Sequence, residues 1–212
     1  MKYIAPIAAI VLAGCATGSS EQADLTRNFD AIVKSSFQAN KIATLERIKQ
    51  DETQVFCSDP EAATGKDAAQ KRAQIEKTNL QAVKWPADGK YLGDWKEGEK
   101  IAQSGRGLTW TDLADAANGG NCYNCHMIDK KEISFGTIGP SLHNYGKLRG
   151  VVDPNGAASA EMVKYTWGKI WNAKAYNACS NMPRAGHMGI LTEQQIKHVM
   201  ALLLDPKSPV NQ

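Results

Sequence analysis

Two cysteines and a histidine have a spacing that can bind a cofactor covalently. Cys122 and Cys125 are separated by two residues, and His126 follows directly. This Cys-x-x-Cys-His pattern is the attachment signature of a c-type haem, in which each thiol forms a thioether with one haem vinyl group. The adjoining histidine is then held beneath the iron as its proximal ligand. The motif therefore predicts one covalently bound haem c.

A zinc site is the alternative for these cysteines, because Cys-x-x-Cys pairs also occur in zinc proteins and in thioredoxin-like redox proteins. A structural zinc site needs a second pair of ligands at a similar spacing. The sequence contains no other Cys-x-x-Cys pair and no His-x-x-x-His pair. The missing partner set and the adjoining histidine favour haem.

The distal ligand of the iron decides between two kinds of function, since methionine suits electron transfer and an open position suits small-molecule binding. Met182 directly precedes Pro183, and proline pushes its predecessor out of helical geometry into an extended conformation. An extended residue can project its thioether across a crevice. We therefore predict Met182 as the distal ligand, with His187 and His143 as the rivals for a bis-histidine site.

A Gly-Pro turn at residues 139–140 follows the haem motif. The carbonyl of Pro140 can accept the ring N–H of His126, which would fix the ring and increase its donor strength to iron. Proline has no N–H of its own, so its carbonyl is presented without competition from helix bonding. A plain turn is the equally open alternative. For Arg184, a contact with a haem carboxylate and a surface role are both open.

The N-terminus has the composition of an export signal. Lys2 precedes an apolar run over residues 4–12 that is too short to span a bilayer. The tetrapeptide Leu-Ala-Gly-Cys at residues 12–15 resembles a bacterial lipobox, in which the chain is cut before a cysteine that carries lipid. The alternative is an ordinary secretory signal cut near Ala16. We expect a periplasmic protein that is anchored to a membrane through lipid on Cys15.

Two cysteines remain after those of the lipid and the haem are assigned. Cys57 and Cys179 allow one intrachain pairing, and an oxidising compartment permits a disulfide. Such a bond would tie the N-terminal region to the haem region across a long loop. Two free thiols, or a bond from Cys179 to a partner chain, are the alternatives.

The composition is ordinary for a soluble globular protein. Of 212 residues, 42% are hydrophobic and 22% are charged. The net charge of +3 is small, and the interspersed Lys and Glu residues argue against nucleic acid as a partner. After the N-terminal signal, the apolar stretches stay below the ~18 residues of a membrane span, so we expect membrane contact only through the lipid.

Three helical patterns precede residue 90 and three follow it, and no alternating strand pattern occurs. The expected helices cover residues 23–37, 42–57, 59–85, 98–104, 159–171 and 193–204. The first carries an apolar stripe of Leu25, Phe29 and Ile32 that we expect to be buried. The last has Thr192 as its N-cap, and Gln195 three residues on completes a capping box. The fold class is therefore predicted to be all-α.

The order of these features resembles class I cytochromes c: a helix, the haem motif, a Gly-Pro turn, a Met-Pro loop and a closing helix. Several segments are similar to a narrower family, SoxX, the monohaem subunit of the SoxAX cytochrome complex of bacterial sulfur oxidation. They are residues 139–142, 145–147, 175–186, 189–196 and 203–211. The segment Asn-Met-Pro-Arg at residues 181–184, with the cysteine before it, is the narrowest of these motifs.

The SoxX resemblance implies a role for each motif residue. Cys122 and Cys125 would hold the haem, and His126 and Met182 would be its axial ligands. No catalytic residue is expected in this chain, because the sulfur chemistry of the family, that of an L-cysteine S-thiosulfotransferase, takes place on a SoxA-type dihaem or monohaem partner. There thiosulfate is joined oxidatively to a cysteine of the carrier SoxYZ. The SoxX haem would accept the released electrons and pass them to a small soluble cytochrome.

The resemblance also divides the chain. We expect a lipoprotein signal peptide over residues 1–14, a tether over 15–22, a helical extension over 23–90 and a class I cytochrome c domain over 91–212. The extension is absent from shorter SoxX proteins, and the lipobox is atypical of a freely soluble periplasmic protein. A stand-alone, lipid-anchored cytochrome that serves respiratory complexes is therefore the alternative function. A haem enzyme or gas sensor with an open distal site is a third.

Overall fold

The computed structural model of the protein describes residues 18–212. Contacts divide the chain into two compact units, of which the first ends at Ala39 and the second comprises Asn40–Gln212. The expected signal peptide over residues 1–14 and the expected lipid site, Cys15, lie outside the described residues. The helical segment ahead of residue 91, from Asn40 onward, therefore belongs to the same unit as the haem motif.

The regular structure of residues 18–212 is helical. The α-helices are α1 (Gly18–Ser36), α2 (Glu52–Ser58), α3 (Pro60–Thr64), α4 (Ala68–Gln81), α5 (Trp95–Gln103), α6 (Tyr145–Leu148), α7 (Ala160–Trp171) and α8 (Glu193–Leu204). Short 3-10 segments cover Leu45–Ile48, Cys122–Asn124, Ala157–Ser159, Ala173–Ala175 and Pro209–Asn211. Over these residues the only extended pairing is an isolated bridge between Asn40 and Ala43. The predicted all-α class is confirmed.

Helix α1 forms where it was expected, but its environment differs from the expectation. It begins at Gly18, so its first turns overlap the segment predicted as a tether. The apolar stripe of Leu25, Phe29 and Ile32 is more than half exposed, and the prediction that it is buried is wrong. The physical reason is that α1 is the only helix among the described residues of the first unit, and an apolar helix face is buried only where a second element packs on it.

The helix predicted over residues 42–57 is two short elements, a 3-10 turn and α2. Asp51 separates them, because its carboxylate accepts the backbone N–H of Gln54 at 2.8 Å. The Gln54 side chain accepts the N–H of Asp51 in return at 2.9 Å. This capping box starts a new helix. As a result, α2 is an independent seven-residue element with Asp51 at its start and Cys57 in its last turn.

The helix predicted over residues 59–85 is also divided. Asp59 caps α3 by accepting the backbone N–H groups of Glu61 and Ala62. Gly65 ends that helix after one turn, and the chain resumes as α4 at Ala68. Glycine is a poor helix former because it loses the most backbone entropy on folding.

Helices α7 and α8 match their predicted positions, whereas α5 begins at Trp95, three residues before its predicted start, and the short helix α6 was not predicted. Helix α8 begins with the predicted capping box, in which Thr192 and Gln195 each accept the other's backbone N–H. Helix α5 packs closely on α8 at Gly98, where an added Cβ would overlap the carbonyl oxygen of His198. Met200 in α8 is completely buried, as expected of a core residue. This pair of helices forms one side of the haem region.

Two apolar clusters stabilise the second unit. The larger joins α5, α7 and α8, and its completely buried members include Trp167, Ile196 and Leu202. The smaller cluster consists of Phe56, Ala68, Ile75 and Ala178, with Cys57, Ala62 and Cys179 at its edge. Helices α2 to α4 thus share a core with a loop that lies more than 100 residues later in the chain.

Candidate haem site

The haem motif is a tight turn. Residues Cys122–Asn124 form one 3-10 turn, and the carbonyl of Cys122 accepts the backbone N–H groups of Cys125 at 3.1 Å and His126 at 2.9 Å. The turn brings the two sulfur atoms and the imidazole to the same cavity, since all three residues line it. The spacing of the motif therefore produces the convergence that thioether attachment and proximal ligation require.

His126 is oriented by the predicted partner. Its Nδ1 lies 2.7 Å from the carbonyl oxygen of Pro140. A carbonyl oxygen can only accept, so Nδ1 carries the proton and the lone pair is on Nε2, the nitrogen left for a metal. An added Cβ at Gly139 would overlap the His126 ring. Glycine at this position is what allows the turn to approach the imidazole.

The Gly-Pro turn is fixed to the motif by main-chain hydrogen bonds. The N–H of Gly139 donates to the carbonyl of Cys125 at 2.8 Å, and the N–H of Leu142 donates to the carbonyl of Met127 at 2.7 Å. The acceptor for the imidazole and the imidazole itself therefore belong to one hydrogen-bonded substructure. Its members are at most about 20 residues apart in sequence.

The cavity has the size and character of a cofactor site. Its volume is about 630 Å³, within the roughly 300–1,000 Å³ typical of small-molecule and cofactor pockets. Its walls are mostly apolar and include Ile128, Ile170 and Leu202. Cys122, Cys125, His126 and Met182 all contribute to the wall. Two thiols, an imidazole and a thioether around an apolar cavity fit a covalently bound haem.

The methionine loop, defined here as residues 178–184, supplies one side of this cavity. The loop lies in a stretch without helix, between Ala175 and Glu193. Met182 is partly buried against the larger apolar cluster, and its backbone N–H donates to the hydroxyl of Ser180 at 3.2 Å. The thioether of Met182 is thus placed at the cavity by a loop that belongs to no helix.

The two histidines considered as rival ligands lie elsewhere. In the described part of the chain, the cavity wall includes neither His143 nor His187. His187 is exposed. His143 is partly buried, and its Nδ1 has no hydrogen-bond partner among the described residues. Of the candidate distal ligands from the sequence, Met182 is the one that lines the cavity.

A structural zinc site needs four ligands around one metal ion. Burial raises the pKa of the Cys122 thiol to about 12. Within residues 18–212 there is no group of three or more His, Cys, Asp or Glu side chains that could hold a metal ion. These observations agree with the haem interpretation of the motif.

A partly buried carboxyl group lies next to the motif. The hydroxyl of Tyr123 donates to Glu99 Oε1 at 2.9 Å and accepts the backbone N–H of Asp129 at 3.1 Å. Glu99 Oε2 is buried and has no partner among the described residues. Burial raises the pKa of Glu99, and the nearby Asp129 and Glu132 carboxylates act in the same direction. No sequence pattern indicates this group, because an isolated Glu in α5 resembles any exposed helix residue.

Two cations at the cavity were also not predicted. Arg149 and Lys169 line it, and the guanidinium of Arg149 lies 3.7 Å from the centre of the Tyr145 ring. Burial lowers the pKa of Lys169. Arg184, which the sequence suggested for a haem carboxylate, instead donates to Asp51 Oδ2 at 2.5 Å. Nothing in the local sequence distinguishes these cations, since their positions depend on tertiary packing.

The two remaining cysteines are joined. Cys57 and Cys179 form a disulfide with an S–S distance of 2.04 Å and a sequence separation of 122 residues. The bond connects the last turn of α2 to the methionine loop, three residues before Met182. The intrachain pairing is therefore the arrangement in this structure, rather than two free thiols.

Comparison with known proteins identifies the family. Residues 111–206 match the family model of cytochrome c. The chain is 38% identical over 167 residues to an uncharacterized lipoprotein of Aquifex aeolicus (strain VF5), in an alignment that covers 76% of this chain and 73% of the relative. The chain belongs to the cytochrome c family. Its helical fold is that of a class I cytochrome c, its cofactor is covalently attached haem c, and it is an electron-transfer cytochrome.

Among residues 18–212, none of the helices combines the length and the apolar character needed to cross a bilayer.

Proposed function

We propose that the haem of this electron-transfer protein is attached through Cys122 and Cys125 and is ligated by His126 and Met182. The observation that supports this proposal best is the convergence of these four side chains on one mostly apolar cavity. Bound haem c supplies an iron atom that gains or loses one electron at a time. The protein therefore has to hold both axial ligands in place and keep water out.

Each ligand is suited to that task by its surroundings. The Pro140 carbonyl keeps the proton on Nδ1 of His126, which leaves Nε2 as the donor and increases its basicity. Met182 contributes a neutral, soft sulfur, and a methionine ligand raises the reduction potential. With both positions filled, no open site remains for a small molecule. This arrangement favours electron transfer over catalysis or gas sensing.

The cations at the cavity have a role in the same proposal. Haem carries two carboxylates, and charged groups in an apolar cavity need partners. Arg149 and Lys169 line the cavity, and we assign the pairing with these carboxylates to them. Arg184 is excluded from that role in the proposal because its guanidinium is engaged by Asp51.

The distal ligand can be tested with two methionine variants of the haem-loaded protein. Met182→Ala should abolish the near-infrared methionine–iron band, lower the reduction potential and allow tight CO binding to the ferrous protein. Met188→Ala is the matched control, since Met188 is 57% exposed and does not line the cavity. A Met182→Ala protein with an unchanged band and potential would contradict the proposal.

For the physiological role, we propose the haem subunit of a SoxAX-type complex. The support is the SoxX-like sequence, above all residues 175–186, which include the methionine loop. In this role the chain accepts the electrons that are released when thiosulfate is joined to a SoxYZ cysteine on a SoxA-type partner. It then passes them to a small soluble cytochrome. The protein would act in the periplasm.

A stand-alone, lipid-anchored carrier is the second candidate. It is favoured by the relative from Aquifex aeolicus, whose name describes a lipoprotein, and by the lipobox-like residues ahead of Cys15. Affinity capture from the native host distinguishes the two roles. Recovery of a SoxA-type cytochrome, together with thiosulfate-dependent reduction of this haem in the captured complex, supports the first. Recovery without such a partner supports the second, and the mass of the mature N-terminus shows whether lipid is present.

A further inference from the structure

Helix α2 holds the methionine loop at two points, one on each side of Met182. At its last turn, Cys57 is bonded to Cys179, three residues before Met182. At its N-cap, Asp51 accepts a hydrogen bond from Arg184, two residues after Met182, at 2.5 Å. The six-residue segment from Cys179 to Arg184 is thus fixed at both ends by one helix and its N-cap residue.

The beginning of the same loop is packed as well as bonded. Ala178 is completely buried in the smaller apolar cluster with Phe56 of α2 and Ile75 of α4. Its backbone N–H donates to Glu76 Oε1 at 3.0 Å. Helices α2 and α4 therefore hold the methionine loop by three kinds of contact: a disulfide, apolar packing and hydrogen bonds. The loop itself contains no helix.

The ion pair in this arrangement persists at neutral pH. The side chain of Arg184 is only 12% exposed and that of Asp51 is 40% exposed. Burial opposes ionisation of Asp51, but the hydrogen bonds from the Gln54 N–H and from Arg184 outweigh it and hold the pKa of this carboxyl below its ordinary value. Both partners are charged in the folded protein under physiological conditions.

We propose that α2 is a positioning brace that keeps Met182 seated on the haem iron, with Asp51 and Cys57 as its two contact points. The inference rests on the proposed ligation by Met182. A free loop loses conformational entropy when it closes. A loop fixed at both ends has already lost most of it, so the closed, ligated state is favoured over states with an open distal position. The N-terminal helical segment thereby acquires a role in haem ligation without touching the haem motif.

Imidazole binding to the oxidised, haem-loaded full-length protein measures the open state. An added ligand can bind only the fraction of molecules in which Met182 has left the iron, so its apparent Kd falls in proportion as that fraction rises. Asp51→Asn is the sharper variant, because asparagine is as good an N-cap as aspartate and its amide oxygen can keep the bond from the Gln54 N–H. The amide NH2 then replaces the oxygen that faces Arg184, which removes both the charge and the hydrogen bond there. Cys57→Ser with Cys179→Ser removes the covalent contact.

The brace predicts graded effects. Asp51→Asn should lower the imidazole Kd by about two- to fivefold, as expected for loss of a partly exposed ion pair. The double serine variant should lower it by more than about tenfold and weaken the near-infrared methionine–iron band. Glu46→Gln is the matched control, because its ion pair with Lys49 lies on the same segment but both side chains are at least 70% exposed. This variant should bind imidazole like the unaltered protein.

The outcomes separate the brace from the ligand assignment. If the unaltered protein shows the methionine–iron band and both variants keep its imidazole affinity, the brace is wrong and Met182 remains the ligand. If the unaltered protein has no such band, the ligand assignment itself fails. Should the double serine variant not accumulate, Asp51→Asn decides alone. Faster hydrogen exchange in residues 178–184 of the variants, without any change in imidazole affinity, also overturns the brace.

Discussion

The two sides of the haem cavity are held in different ways. On the side of His126, the orienting acceptor is Pro140, only 14 residues away in sequence. On the side of Met182, the contacts to the loop come from Cys57 and Asp51, at separations of 122 and 133 residues. The proximal side is thus a local substructure, whereas the distal side depends on long-range packing. A change in the N-terminal helices should therefore affect one side and spare the other.

Removing the disulfide should have the largest effect. Cys57→Ser with Cys179→Ser opens a loop of 122 residues and should lower the free energy of unfolding by about 2–5 kcal/mol. Guanidinium denaturation of the haem-loaded protein measures this change. The haem should remain attached through thioethers, which a pyridine haemochrome spectrum checks. Loss of covalent haem from this variant would mean that the two sides are not independent.

Gly139→Ala tests the proximal side in isolation. The new Cβ would overlap the His126 ring, and a small-to-large change in such a packed position typically costs about 1–3 kcal/mol. We expect a lower melting temperature and a shifted reduction potential, because the hydrogen bond from His126 to Pro140 is disturbed. Ser141→Ala, an exposed position in the same turn, is the control. The imidazole affinity should change far less than in the brace variants; an equally large change would contradict the division into two sides.

Acid should loosen the distal side through Asp51. The pKa of this carboxyl lies below its ordinary value of 3.8. Its contribution to stability is therefore fully present above that value and is lost as the pH falls through the lower pKa of the folded protein. The methionine–iron band, followed by titration from about pH 6 downwards, should weaken less steeply in Asp51→Asn than in the unaltered protein. Identical titration curves for the two proteins would contradict the prediction that ionised Asp51 stabilises the distal side.

Glu99 should produce the smallest effect, with the opposite sign. Burial raises its pKa above the ordinary value of 4.5, so the fold favours the neutral acid more than the unfolded chain does. The stability associated with this group is present below pH 4.5 and is lost as the pH rises through the folded pKa. Glu99→Gln should therefore raise the melting temperature relative to the unaltered protein at pH 7 more than at pH 4. Glu97→Gln, an exposed carboxyl on the same helix, should show no such difference.

The contrast between contacts that are close in sequence and contacts that are far apart also explains which features could be predicted from sequence. His126 and Pro140 could be related from sequence because a motif and a nearby turn have fixed geometry. The capping box at Thr192 was readable for the same reason. For Cys57 and Cys179, the number of cysteines allowed one intrachain disulfide, but two free thiols and a bond to a partner chain remained open. The sequence predicts Met182 as the distal ligand with two histidines as rivals, and the folded chain shows that Met182 is the one of the three that lines the cavity.

Other features had no local signal at all. Arg184 was considered for a haem carboxylate because guanidinium suits carboxylate, but its partner is Asp51 from a helix more than 100 residues earlier. The division of the predicted helix over residues 42–57 is different, because Asp51 and Gln54 have the spacing of a capping box, a local signal that the prediction missed. The periodicity of the apolar residues in α1 predicted a buried face. Periodicity gives the spacing of apolar residues, but it does not show whether another element packs on them.

The length of α2 sets the spacing of the two points at which it holds the methionine loop. Its seven residues, at about 1.5 Å each, set the distance between the carboxylate at one end and the sulfur at the other. Because an α-helix turns by about 100° per residue, one inserted residue would rotate Cys57 away from Cys179 while Asp51 still faced Arg184. Insertions are therefore tolerated before Asp51 or after Ser58 far better than between them.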